Sequence, residues 1–279
     1  MAMELALELG WKIALTALMI VAVARIAERS GAFMASVLLT VPMNAGPGFF
    51  FLALDHPAAF IAEGALVSFA ATGGVLVFAA AYINLARRFG FFVCAGGASL
   101  AWLTAAVAFS WVDLDLAAAF ALIAGGGLIA YLSRRRLDLY SPPAHGPSGL
   151  RPLFTRGLVA GGWAAGIAAL GHTIGPQLAG LFLGFPIIFC TAAWALHRTH
   201  GGDFAAALLS SAQRSVVTYA SFCLALYLLV TLAAMAPLSA FGLACLVMVP
   251  VAASVAGLGW YARRGALRLQ GSTGIRRDN

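Results

Sequence analysis

One stretch of this chain is written twice. Gly31, Ala35, Leu39 and Pro42 recur as Gly175, Ala179, Leu183 and Pro186. The match runs on without a gap through Leu52 and Leu196, His56 and His200, and Phe60 and Phe204, every pair 144 positions apart. Both copies are apolar segments interrupted by proline. Duplicated, proline-broken hydrophobic segments in corresponding places point to a transporter-like membrane core with its site where the broken helices meet.

The composition decides the solvent. Hydrophobic residues make up 62% of the chain and charged residues only 10%, with a mean hydropathy of +0.94. A soluble domain of this length could not cover itself with so few charges, so the chain is read as a polytopic membrane protein. The net charge of +7 does not indicate nucleic acid, because the basic residues sit at segment ends and in the tail. Lys12 interrupts the first apolar stretch, and no signal-peptide pattern is evident. Cys94, Cys190, Cys223 and Cys245 all fall within apolar segments without a CxxC or Cys/His cluster, so they read as packing residues, and no metal or other cofactor is expected.

A membrane-spanning helix needs roughly 20 apolar residues. Nine segments qualify, at 9–27, 32–54, 58–86, 89–111, 115–133, 155–173, 177–198, 203–233 and 239–262. The third and eighth are long, which predicts tilt, a kink or an extension into the headgroups; Gly73-Gly74 is the expected kink in the third. The loop 134–154, with Arg134 to Arg136, Ser141-Pro142-Pro143 and Gly146-Pro147, reads as a linker between halves. The expected organisation is a four-helix unit over 1–111, a connector helix and basic linker over 112–154, a second four-helix unit over 155–263, and a basic tail over 264–279.

The charges orient this arrangement. With nine spans, Arg25 and Arg29, Arg87 and Arg88, Arg134 to Arg156, Arg198, and Arg263 to Arg277 all fall on one side. The positive-inside rule then places the N-terminus outside the cytoplasm and the C-terminus within it. A single connector helix flips the second unit relative to the first. The expected fold is therefore all-α, with about nine transmembrane helices as two inverted-topology four-helix repeats.

The unit resembles the GlpM family of small bacterial inner-membrane proteins. Its first helix starts with a base, Lys12 or Arg156, and a polar turn such as Arg25–Ser30 follows. A small-residue helix then carries Val41-Pro42 or Phe185-Pro186. Asp55-His56, or His197-Arg198-Thr199-His200, leads into a long aromatic-rich helix. The resemblance covers both units and makes this chain a fused, inverted duplicate of a shorter one. It implies a bacterial inner-membrane, multi-pass protein and carries no activity.

Few residues could carry chemistry. Arg214 lies about a dozen residues into the eighth segment, beside Gln213 and Ser215. A guanidinium at that depth costs several kcal/mol unless paired or hydrated. It is read either as a packing ion pair or snorkelling side chain, or as an anion contact in a central cavity. Glu63, in the counterpart third segment, is the expected charge-compensating or coupling partner. The run Pro42-Met43-Asn44-Ala45-Gly46-Pro47-Gly48 breaks a helix in mid-membrane, and Asn44 can donate and accept there. It is read as a kink sealed by its neighbours or as an unwound, substrate-facing stretch, with Pro186 a milder break in the partner helix. His172, His197 and His200 are expected near interfaces, and Lys12 and Arg156 are expected to snorkel. Gly125-Gly126-Gly127 reads as close packing, and the Phe49–Phe51 and Phe89–Phe92 aromatics as lipid-facing or packing residues. No catalytic set stands at usable spacing, so no enzyme is expected.

The preferred reading is a small secondary transporter or permease with a central site at the broken second and seventh helices. Its expected partners are membrane lipid, a small or amphipathic acidic substrate met by Arg214, and further copies of the chain in a homo-oligomer. A non-transporting accessory protein for an envelope complex and an intramembrane lipid-acting enzyme are the alternatives. The accessory reading requires a sealed centre, and the enzyme a convergent acid, base and wet pocket.

Overall fold

The computed structural model describes residues 2–29, 45–109, 111–135 and 150–274. The helices are α1 (Ala2–Arg29), α2 (Ala45–Asp55), α3 (Ala58–Ala86), α4 (Phe91–Phe109), α5 (Leu116–Arg135), α6 (Leu150–Leu183), α7 (Ile187–His200), α8 (Gly202–Ala212), α9 (Val216–Thr231) and α10 (Pro237–Gly274). A 3-10 turn, Gln213–Ser215, joins α8 to α9. Among the described residues the fold is all-helical, as lipid requires when every backbone group must be satisfied within its own segment. Six described stretches are long and apolar enough to cross a membrane: Ala58–Ala86, Phe91–Phe109, Leu116–Ser133, Phe154–Leu183, Gly202–Thr231 and Pro237–Leu258. α2 is a shorter apolar helix. The expected basic tail is partly helical, since α10 continues to Gly274.

Element boundaries follow the sequence offset. α3 starts at Ala58 and α8 at Gly202, 144 positions later. α2 ends at Asp55 and α7 at His200; α3 ends at Ala86 and α9 at Thr231, each pair within one residue of the same offset. The corresponding helices also pack on each other, running in opposite directions. On α1 and α6, a methyl built on Gly157 would lie 3.0 Å from Ala17 Cα, while one on Gly161 would lie 2.9 Å from the Ile13 carbonyl oxygen. On α3 and α8–α9, Gly202 backs onto the Ala86 carbonyl, whereas Tyr219 lies beside Ser68. In both pairs one chain advances as the other retreats.

α3 is the centre. It is apolar on all sides and buried along most of its length, as a helix surrounded by others must be. It touches α4, α5, α6, α8 and α9. Small residues set these approaches, as is usual where van der Waals packing rather than water drives association. Gly64 meets Gly180 of α6, and Gly73 meets Gly126 of α5 backbone to backbone. The expected kink at Gly73-Gly74 is absent: α3 runs unbroken, and Gly73 is small because the connector helix lies against it. The long eighth segment does change geometry, at the 3-10 turn.

The sixth and seventh segments are divided differently from the expected spans 155–173 and 177–198, although the expected break at Pro186 is present. α6 runs from Leu150 to Leu183 with one non-helical residue, Gly175, at φ 76° and ψ 172°. That positive φ suits glycine, and Pro176 then occupies the first position of the next helical stretch. A second interruption at Gly184–Pro186 separates this stretch from α7. The seventh segment is thus two half-helices, Pro176–Leu183 and Ile187–His200.

Candidate functional site

The interruption at Gly184–Pro186 frees backbone groups that lipid cannot satisfy. The protein satisfies them itself. The Gly180 carbonyl accepts from Gly184 N at 3.1 Å and from Ser68 Oγ at 2.6 Å. The Phe182 carbonyl accepts from Phe185 N at 3.0 Å and from Trp163 Nε1 at 2.8 Å. Phe185 is held by Trp102, Trp163 and Phe78, with ring centroids 5.0, 5.5 and 6.2 Å away. Around Pro186 the break is packed with aromatic rings.

The other break differs. Pro42 and Asn44 lie outside the described residues, but Gly46 and Pro47 open α2 and line a cavity of about 400 Å³. Its walls are Leu15 and Met19 of α1, Phe50 and Phe51 of α2, Phe222 of α9, and Phe241, Cys245 and Met248 of α10. The lining is apolar throughout, at a volume typical of small-molecule sites. Phe49 and Phe51 are fully buried core residues.

The expected charged pair is not brought together. Glu63 and Arg214 are both exposed on the protein surface, and no ion pair joins them among the described residues. Neither lines the cavity. Gln213 is buried, and neither amide atom has a hydrogen-bond partner among the described residues. The positions 144 residues earlier have different surroundings. The mate of Arg214 is Ala70, fully buried, and the mate of the neighbouring exposed Val217 is Gly73, where α5 packs.

A cluster that sequence reasoning did not assemble lies where the start of α1, the end of α2 and α6 converge. Lys12 is only 2% exposed, so the expectation that it snorkels is wrong. Its Nζ donates to Glu8 Oε1 at 2.6 Å and to Asp55 Oδ2 at 3.2 Å, and lies 5.7 Å from the Phe51 ring centroid. His56, in the turn after α2, is 7% exposed. Its ring stacks on Phe60 at 3.9 Å and sits 4.1 Å from the ring of His172, with Nε2 buried and without a hydrogen-bond partner among the described residues. Gly171 makes room, since a methyl there would come within 2.6 Å of that nitrogen. Burial, first, and the neighbouring His172 and Lys12 hold His56 below the ordinary imidazole value, against an opposing pull from Asp55.

The opposite end carries the repeat's version of this arrangement. His200 stacks on Phe204 at 4.6 Å, matching His56 on Phe60. His197 Nδ1 and Tyr82 Oη share a 2.9 Å hydrogen bond, and Arg87 pairs with Asp203 at 3.0 Å. Arg156 occupies the repeat position of Lys12, but its Nε is buried without a hydrogen-bond partner among the described residues. The signal for the cluster was therefore present in sequence, as a base and a histidine recurring at the repeat offset. The long-range partner of Lys12, Asp55, was not. Compared with protein-family models, with curated proteins and with solved structures, the chain gives no match.

Proposed function

We propose that the chain is a small secondary transporter or permease of the bacterial inner membrane, handling an amphipathic substrate. Its two halves, 1–111 and 155–263, would be inverted four-helix units of the GlpM-like kind, with the connector α5 between them, the N-terminus outside and the C-terminus in the cytoplasm. The constant element offset and the antiparallel packing of α1 on α6 and of α3 on α8–α9 support that layout.

The observation that carries the functional reading is the apolar cavity at the start of α2. Helix breaks at membrane depth normally face protein or a cavity; the break at Pro186 is packed with aromatic rings, whereas Gly46 and Pro47 at the start of α2 line a cavity. The cavity walls offer no partner to a hydrophilic solute, so the substrate contributes an apolar tail. Its acidic group would be met by Asn44, the residue before α2.

A cavity-filling variant tests this. A Cβ on Gly46 meets nothing within 4 Å, so Gly46→Trp can occupy the cavity without moving backbone. In liposomes containing the purified protein, a fluorescent single-chain sulfonate amphiphile is expected to cross about tenfold faster than in protein-free vesicles. Gly46→Trp should return the rate to background, a tenfold loss that corresponds to about 1.4 kcal/mol. Equal rates for the two proteins, or no transfer by either, would remove the reading. The accessory-protein reading gains from the sealed break at Phe185 and would then take precedence.

A further inference from the structure

We infer that His56 and His172, together with Lys12, Glu8 and Asp55, form a site that binds one proton and couples it to the cavity through α2. This inference rests on the transporter reading and names its coupling ion.

Ring proximity sets the stoichiometry. Among the described residues the site holds one ammonium, Lys12, and two carboxylates, Glu8 and Asp55. Two imidazolium rings with centroids 4.1 Å apart beside Lys12 would repel each other, so the pair holds one proton between its two rings. Every element packed here contributes: Glu8 and Lys12 from α1, Asp55 from α2, the Phe60 ring from α3 and His172 from α6. His172 is exposed while His56 is buried, so protons enter at His172 and are held against His56, whose buried Nε2 has no hydrogen-bond partner among the described residues.

The link to the cavity is short. α2 has 11 residues, about 16 Å at 1.5 Å per residue. Gly46 and Pro47 at its start line the cavity, and Asp55 at its end binds Lys12. Phe51 belongs to both: its ring lies beneath Lys12 and forms part of the cavity wall. An imidazolium at His56 competes with Lys12 for Asp55. Loosening that ion pair releases the end of α2 and moves the Phe51 wall.

The sign follows from the surroundings of His56. Its proton affinity is depressed, chiefly by burial, so the transition lies below the ordinary imidazole value of about 6.5. The folded protein then takes up the proton later than the unfolded chain does. Stability contributed by the neutral ring is complete above that value and declines as pH falls through the folded transition.

The test uses the full chain in lipid nanodiscs, with two readouts. Trp11 lies edge-on to Phe51 at 5.4 Å and 5.9 Å from Lys12 Nζ, so its fluorescence, isolated by subtracting Trp11→Phe, reports the cluster. Met19→Cys, with the four native cysteines replaced by alanine, reports access to the cavity through its rate of maleimide labelling, corrected for the reagent's own pH dependence. The expected result is a single-proton fluorescence transition below pH 6.5 and a change of about fivefold in labelling rate across it, the low end of coupling between two sites. Both should vanish in His56→Gln. His172→Gln, at an exposed position, should abolish them with the fold intact even if His56→Gln fails to accumulate. Fluorescence and labelling that ignore pH, or that titrate unchanged in His172→Gln, would overturn the inference while leaving the cavity reading standing. Absence of labelling at every pH, with the Trp11 transition still dependent on His172, would instead sustain the proton site and remove the transporter reading.

Discussion

Glu8→Gln combined with Asp55→Asn is expected to destabilise the protein by about 3 kcal/mol, and adding Lys12→Met is expected to recover most of that loss. The asymmetry comes from burial. Lys12 is 2% exposed, whereas Glu8 and Asp55 are 47% and 42% exposed. Removing the acids strands an ammonium out of reach of water. Removing the base leaves two carboxylates that water can still reach, so Lys12→Met alone should cost about 1 kcal/mol or less. Unfolding midpoints of the purified variants in mixed micelles measure all three. Equal damage from Lys12→Met and from the acid pair would show that the ammonium is not the group needing compensation.

A comparably large effect is expected within a single glycine triplet. Gly126→Leu should destabilise the protein by about 3 kcal/mol, the upper part of the range for overpacking. Gly125→Leu and Gly127→Leu should be neutral or slightly stabilising. A Cβ on Gly126 would enter the backbone of Gly73 on α3, where no rotamer change can relieve the clash. Nothing lies within 4 Å of a Cβ on either flanking glycine. The same unfolding assay, with α5–α3 proximity followed by a cysteine crosslink, decides the matter; a tolerated leucine at Gly126 would mean that α5 is not seated as described.

What could be read in advance was local or repeated. The helical class follows from apolar length, the break at Pro186 from proline chemistry, and the tight seat of Gly126 from the small residues of its triplet. The common boundaries of α3 and α8 follow from the offset. What could not be read depends on which distant segment covers a given face. Gly73 reads as a kink in one dimension, and only the position of α5 makes it a contact. Lys12 reads as a snorkelling base because Asp55 is 43 residues away in sequence. Arg214 and Glu63 read as a pair because both are intramembrane charges in matching helices, yet their side chains leave the bundle in directions that the sequence does not encode.

The crossing of α1 on α6 constrains how this chain can vary. Position 13 meets 161 while 17 meets 157, so each contact is the repeat image of the other. Read along one helix and back along the other, the seam spells the same positions in reverse, as a palindrome does. A residue enlarged at one place must be answered by a reduced one at its reflected place, and the pairs Ile13 with Gly161 and Ala17 with Gly157 already show that exchange of bulk. The two sides of the seam are not alike: α1 brings the side chains and α6 the glycines, so one helix acts as the other's mould rather than its duplicate.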